Sequence, residues 1–478
     1  MVENPESALD DPSALGLGTE AVKYAEAEGL LGGETSVQGA PRNAETASVG
    51  ERNVESDVFN ARIASPRVGS IDSFTGPGLA TFAAALNSGA YDAWMVHLAE
   101  GVRDADRRPG DSTSSRAEFQ TLVSKGLLTA ATVIIHGLAL ERTDFAAMRA
   151  AGAKLVWSPR SNLQLYGKTA NVYEAIAEGV MVSLGTDWTP SGSAGLLGEL
   201  KVADIALRDG RVLGSSRSLV PRFSHRRGSL RLDRALVDMV TRNPALTLGW
   251  GGNVGSIRRG LRGDLLLIRD PEASTKGKDK RSRSPSPYRA LIDATEANVR
   301  LVTVDGEAVV ASRRRMSELS PGDYEVVPGA LGGRVAIDLT DPAAPAGGQT
   351  LAQITAQLRQ ALAALGGDAQ PAGGGTAPNT NTYSYLKAHW ANGSLAGLDD
   401  ATFRTVLTAF FGTDAGGRLN IESVALKPLL DRDDDFLGHL LNGEVSGGLI
   451  ADPTPPFGLY PANLNHVGPG GNPLAGLP

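Results

Sequence analysis

No cysteine occurs in the 478 residues. That excludes a disulfide framework, a thiolate metal site and a cysteine nucleophile. No run approaches the roughly 18 consecutive apolar residues that a membrane span needs. The opening Met1-Val2-Glu3-Asn4-Pro5-Glu6-Ser7 has neither a basic nor an apolar region. It does not read as a secretory signal, and a cytoplasmic protein is expected. Positive charge is short: 46 Lys and Arg stand against 53 Asp and Glu, a net charge of −7. That balance weighs against nucleic acid as a partner. Histidine is scarce too, with six in all (His97, His136, His225, His389, His439 and His466), and none precedes His97.

What is present is the composition of a soluble globular protein, 41% apolar and 21% charged, and long enough for two or more domains. Its centre is Thr132 to Lys201. Three short apolar runs there, Thr132-Val133-Ile134-Ile135, Lys154-Leu155-Val156-Trp157 and Val180-Met181-Val182-Ser183-Leu184, are each followed at once by polar residues. Such runs predict strands buried on both faces. The segments between them, Thr143 to Ala151 and Val172 to Gly179, have helical spacing, so the pattern is one of parallel βα units. Asp92 to Gly101 reads as a further strand, ending in His97 with Glu100 three residues on. Chemistry in such folds gathers at the carboxyl ends of the strands. His97, Glu100, His136, Ser158 to Asn162 and Asp187 all fall there. Each alone has a bland reading, a core histidine or an Asp that caps a helix. Four on successive strand ends favour a site.

These residues carry a family resemblance. His97-Leu98-Ala99-Glu100, Ile135-His136-Gly137, Ser158-Pro159-Arg160-Ser161-Asn162 and Gly185-Thr186-Asp187 resemble the amidohydrolase superfamily, most of all its branch of cytosine and guanine deaminases and triazine or chlorohydrolase-type enzymes. Thr241-Arg242-Asn243-Pro244-Ala245 and Gly255 to Asp264 match the same branch, and the likeness runs from about Ala21 to Val310. It implies a metal-dependent (β/α)8 barrel that hydrolyses carbon–nitrogen bonds in amides, amidines and aminoheterocycles. By position, His97 resembles the metal ligand of strand 5, and Glu100 the carboxylate that carries protons to the substrate nitrogen. His136 resembles the strand 6 histidine that contacts substrate or the tetrahedral intermediate. Asp187 resembles the strand 8 aspartate that binds metal and takes a proton from its water. Ser158, Arg160, Asn162 and Trp188 are expected to line the substrate pocket. The cofactor implied is a divalent metal, zinc by analogy, with iron or manganese also suited to such ligands.

The sequence departs from the family in one respect: the His-x-His pair expected at the end of strand 1 occurs nowhere in it. The helix predicted from Thr19 and the strand at Thr35 to Gly39 correspond to those that follow strand 1 in the family. The expected fold is therefore an incomplete α/β barrel over residues 19–264, after a flexible 1–18. Its strands are placed near 35–38, 67–72, 92–97, 132–136, 154–157 and 180–185, and Ala40 to Glu55 reads as loop. A partial β-sandwich is expected over 265–328, with a hairpin turning at Asp305-Gly306. Ser215 to Arg231 reads as a solvated basic insert, or else a lid or a patch for acidic substrates, Lys276 to Arg289 as a basic Ser/Pro-rich loop, and Asp233 to Arg242 as a helix ending at Asn243-Pro244. Residues 329–380 hold a helix (Gln349 to Leu365) and a Gly/Pro-rich linker. Residues 381–478 form a mainly helical appendage whose Asp431-Arg432-Asp433-Asp434-Asp435 lacks the EF-hand spacing. The expected partner is a small-molecule substrate, with no nucleic acid or membrane, and homo-oligomerisation is left open. The competing expectation is a truncated or degenerate relative that binds or scaffolds without catalysis.

Overall fold

The computed structural model describes residues 17–38, 50–54, 58–64, 71, 75–101, 103–106, 114–187, 192–208, 226–272, 286–320, 324–327, 335–339, 349–364 and 401. The chain opens with helix α1 (Gly18–Gly32), followed by strands β1 (Ser36–Val37), β2 (Arg52–Asn53) and β3 (Ile63–Ala64). Alternating units follow: α2 (Gly76–Asn87), β4 (Ala93–Leu98), α3 (Arg116–Ser124), β5 (Thr132–His136), α4 (Arg142–Ala151), β6 (Lys154–Trp157), α5 (Pro159–Tyr166), α6 (Val172–Glu178) and β7 (Met181–Leu184). After them come α7 (Leu196–Arg208), α8 (Arg226–Val240), α9 (Arg242–Thr247), β8 (Leu265–Ile268), α10 (Pro287–Ile292), β9 (Val299–Val304), β10 (Glu307–Ser312), α11 (Arg313–Leu319), β11 (Glu325–Val326), β12 (Val335–Ile337) and α12 (Leu351–Ala364).

Strands β3 to β7 form one parallel sheet in sequence order. All five residues of β5 are buried, which is why an unbroken Thr-Val-Ile-Ile run suits it. Helices cover the sheet. Trp94 and Trp157 are fully buried in the core they share, and the Phe82 ring meets Trp94 edge-on at 5.2 Å between centroids. Helix α4 enters through a capping box of Glu141 and Asp144, and Gly152 stops it with a φ of 77°, turning the chain into β6. The expected open architecture holds among the described residues. Strands β1 and β2 form a separate parallel pair, hydrogen-bonded neither to β3 nor to β7.

The second sheet is antiparallel, in the order β11-β12-β10-β9-β8. Its β9–β10 hairpin turns at Asp305 (φ 58°) and Gly306 (φ 91°), the left-handed pair that an Asp-Gly turn supplies. Val302, Val310 and Ile337 of this sheet share a core with Ala21, Tyr24 and Leu30 of α1 and Leu351, Ile354 and Leu358 of α12. The helix expected at 349–365 thus packs into the body of the protein, and the sheet extends past residue 328 because β12 pairs with both β10 and β11.

Several local expectations are corrected. Helix α1 starts at Gly18 after Leu17, with no side-chain cap from Thr19. The loop expected over 40–55 contains β2, whose Arg52 and Asn53 pair with Ser36 and Val37. The strand expected at 67–72 lies outside the described residues except for Ile71, and β3 sits beside β4 instead. Pro244 lies inside α9 rather than ending the preceding helix, because in a first turn proline lacks only an N–H that has no helical partner. Of the basic segment 276–289, the C-terminal end is helical: Ser286 caps α10 by accepting from the Arg289 backbone N–H at 3.0 Å. Most of 215–231 and the appendage beyond 364, Ala401 excepted, lie outside the described residues. Among the described residues no helix is long and apolar enough to cross a membrane.

Arg289 is the clearest tertiary surprise. Its guanidinium reaches Asp204 of α7 (Nη1 to Oδ2, 2.9 Å) and Asp233 of α8, while Arg208 donates to the same two carboxylates at 2.7 and 2.8 Å. The network ties α7, α8 and α10 together, with the Asp233 side chain only 4% exposed. Removing one partner of a buried ionic network leaves uncompensated charge. Arg289→Met is therefore expected to destabilise the fold by about 3 kcal/mol in urea unfolding. A loss below about 1 kcal/mol would place these pairs among solvated surface bridges.

Candidate active site

The parallel register brings the expected residues to one edge. Strand β4 pairs with β5 so that His97 lies opposite Ile135 and Leu98 opposite His136. The two imidazole rings sit 5.3 Å apart, tilted 45° to one another. His136 Nε2 is 3.4 Å from Glu100 Oε2 and 3.9 Å from Asp187 Oδ2. His136 is 1% exposed and Glu100 is 8% exposed, so these contacts act in a setting of low polarity.

Backbone conformation aims these side chains. Ala99, His136 and Asp187 have φ of 53°, 72° and 65°, the left-handed region that non-glycine residues rarely enter. Each lies at the carboxyl end of a strand, where the chain turns sharply out of the ladder. Neighbours hold these turns. The Ala99 N–H donates to buried Glu118 Oε2 at 2.7 Å, and the Ser161 hydroxyl donates to Asp187 Oδ2 at 2.5 Å. Gly137 follows His136 where a Cβ would meet Leu155 Cδ1 at 2.8 Å. Strain that persists because its surroundings over-determine it is typical of functional sites.

His97, His136 and Asp187 each offer one ligand atom, all within 4.8 Å of one another. Two ligands of a tetrahedral zinc stand about 3.4 Å apart, given bonds of roughly 2.0–2.2 Å. The donor set, imidazole and carboxylate, suits a divalent cation of the zinc, iron or manganese type. Burial, then the neighbouring His136, push the His97 pKa down to about 4 against the pull of Asp187. His97 is thus a neutral imidazole at neutral pH, the form that ligates. Tyr166, whose hydroxyl lies beside Glu100, is pushed well above its ordinary pKa by burial and by the Glu100 charge, so it stays a phenol.

The motif after β6 is split between roles. Ser158 is buried at the strand end. Arg160 donates through its backbone N–H to Glu199 Oε1 at 3.0 Å and through its guanidinium to the Gly192 carbonyl. Asn162 has no exposed surface, and its Nδ2 stands 3.3 Å from His136 Nδ1. Trp188 lies outside the described residues. Thr169, Glu118, Tyr166 and Glu199 were not foreseen as members of this cluster, whereas Ser161 lies within the expected Ser158–Asn162 motif. Glu199 had a readable signal, since it shares its helical stripe with Val202, Ala203 and Ala206, all buried. A lone carboxyl on an apolar stripe needs a polar partner inside.

The family model described as the amidohydrolase family matches residues 93–309, the stretch that carries His97, Glu100, His136 and Asp187. Over that stretch, somewhat under half of its length, the chain is similar to the amidohydrolase family. A 5-methylthioadenosine/S-adenosylhomocysteine deaminase of Acetivibrio thermocellus is 27% identical over 277 residues, covering 56% of this chain and 57% of the relative. An S-triazine hydrolase of Gordonia rubripertincta is 25% identical over 178 residues, covering 37% and 33%. Among solved structures, an adenosine deaminase of Xanthomonas campestris with bound zinc is 18% identical with a TM-score of 0.48, over 72% of this chain and 75% of that one. The curated relatives are a deaminase and a triazine hydrolase, so the likeness is to the deaminase and chlorohydrolase-like branch. The chain spans about half the length of the curated deaminases it matches.

Glu199 yields a prediction. Burial pushes its carboxyl up to about 8, partly offset by the Ser193 hydroxyl and the Arg160 N–H that bond it. The native state then holds a proton between about pH 4.5 and 8 that the unfolded chain has released, so stability falls as pH rises through that window. Glu34, pushed up to about 7 by burial, acts in the same direction. The informative quantity is therefore the difference between variants. Glu199→Gln should lose less Tm than the wild type between pH 5 and 8.5. Parallel Tm–pH curves would show that Glu199 ionises without cost.

Proposed function

We propose that this chain is an amidohydrolase that hydrolyses a carbon–nitrogen bond of a small cyclic amide, amidine or aminoheterocycle by attack of an activated water. The observation that carries this reading is the convergence of two carboxylates on one histidine, His136 Nε2 lying 3.4 Å from Glu100 and 3.9 Å from Asp187 at the carboxyl edge of one parallel sheet. The names of the relatives, deaminases and a triazine hydrolase, support the same substrate class.

His97 and Asp187 would hold a divalent cation, zinc by preference. When bound, such a cation supplies a water that is acidic near pH 7, roughly, and polarises the electrophilic carbon. Asp187 accepts the proton as the water oxygen bonds to that carbon. Its carboxylate is oriented for this by the Ser161 hydroxyl. Glu100 delivers a proton to the substrate nitrogen, the C–N bond breaks, and ammonia or an amine leaves. His136 donates a hydrogen bond to charge building on the substrate. Ser158, Arg160 and Trp188 are assigned to the substrate pocket.

One sequence observation supports a second reading, a binding or scaffold protein: the chain contains no His-x-His. The two readings separate in one set of measurements on the purified full chain. For the hydrolase, we expect about one zinc, iron or manganese per chain, lost in Asp187→Ala, and ammonia release from a panel of aminoheterocycles and cyclic amidines. Glu100→Gln should keep the metal and lower kcat by roughly 10²–10⁴. A full metal complement with no turnover across the panel would sink the hydrolase reading. Absence of metal in both chains would favour the scaffold.

A further inference from the structure

Behind His136 lies a line of fully buried polar side chains that the proposed reaction does not use. It starts at Trp157, the last residue of β6. Indole N–H can only donate. It donates to Thr169 Oγ1 at 2.6 Å, and both residues are buried, Trp157 at 0% and Thr169 at 2% exposure. One lone pair of the Thr169 hydroxyl is thereby occupied, and its single proton points onward to Asn162 Oδ1 at 3.3 Å. That contact fixes which end of the Asn162 amide faces which way. The carbonyl oxygen faces Thr169, so the NH₂ faces His136 Nδ1 at 3.3 Å.

An amide nitrogen donates and does not accept. His136 Nδ1 must therefore be the acceptor, and the single proton of the neutral ring resides on Nε2. The flipped amide is disfavoured: Thr169 would receive both the indole and the amide N–H, and its own proton would lose Asn162 Oδ1 as its acceptor. We propose that Trp157, Thr169 and Asn162 form a positioning relay that holds His136 in its Nε2–H tautomer. That proton faces the side of Glu100 and Asp187, so the ring offers a donor there rather than a lone pair. His136 then stands as a hydrogen-bond donor next to the metal position, and the ligands supplied by the described residues are His97 and Asp187. The tautomer rests on the hydrogen-bond directions alone. The purpose given to the Nε2 proton rests on the hydrolase reading above.

The test is long-range ¹H–¹⁵N correlation NMR of the full chain labelled with ¹⁵N-histidine, at about pH 8, where an ordinary imidazole is neutral. Spectra are recorded without metal and again with zinc added, and His136 is assigned by loss of its signals in His136→Gln. The expected result is a single tautomer protonated on Nε2 in both. Thr169→Val should give a mixture of tautomers, and Thr169→Ser should restore the wild-type pattern. Trp157→Phe should also mix the tautomers, and it carries the test if Thr169→Val does not fold. An Nδ1–H ring in the wild type, or an unchanged Nε2–H ring in the folded Thr169→Val and Trp157→Phe variants, overturns the relay. Zinc-induced loss of the Nε2 proton would overturn the donor role.

If the protein turns over an aminoheterocycle, Thr169→Val should lower kcat roughly ten- to hundredfold with KM little changed. An inactive protein with the Nε2–H tautomer intact would remove the hydrolase reading and leave the relay standing. Turnover with an Nδ1–H ring would do the reverse.

Discussion

In a parallel ladder, neighbouring strands run the same way and therefore finish on the same side of the sheet. The β4–β5–β6–β7 register depends on that constraint, and the candidate site depends on the register. Leu98 pairs with His136 and Trp157 with Leu184, so the residues just past each pair are delivered to one edge. His97, Glu100, His136, the Ser158–Asn162 turn and Asp187 become neighbours although up to ninety residues separate them in the chain. A shift of one residue in any of these pairings would turn the side chains concerned to the opposite face.

The register alone does not aim the groups. His136 and Asp187 adopt left-handed backbone that their side chains disfavour. Such conformations survive only where surrounding bonds outweigh their cost. Here the Ser161 hydroxyl on Asp187, Asn162 against His136 and Glu118 on the Ala99 N–H provide them. Burial also acts on the electrostatics. It keeps His97 neutral beside His136, and it keeps Glu199 protonated near neutrality under the first turn of α5. The site thus combines carboxylates at the strand ends with hydrogen-bonded groups packed behind them.

The small antiparallel sheet does not stand apart from this arrangement. Its core is shared with α1 and α12, and Glu34, just after α1, accepts the Leu196 N–H at the start of α7 at 2.6 Å. The helix that follows Asp187 is therefore anchored to the N-terminal part of the chain. The Arg289 network fastens the other end of α7 to α8 and α10.

Short apolar runs with polar residues immediately after them identified four of the five strands of the parallel sheet, and the order of His97, Glu100, His136 and Asp187 carried the likeness to the amidohydrolase family. These features were legible because they are local: a buried strand needs consecutive apolar side chains, and reacting groups at strand ends need polar ones directly after. Of the two-residue strands, β1 was placed near 35–38, but β2 lay in the expected loop over 40–55 and β3 was not foreseen, because two residues carry little periodicity. Which residues stand behind the site was decided by tertiary structure. Trp157 and Thr169 look like an ordinary strand end and a polar loop residue, and Asn162 like a pocket residue, until the fold lines them up behind His136. Arg289 looked like part of a basic Ser/Pro-rich loop until α7 and α8 placed Asp204 and Asp233 around it. A hydrogen bond's direction and a buried charge's partner depend on three-dimensional neighbours far apart in the chain, and no local pattern encodes them.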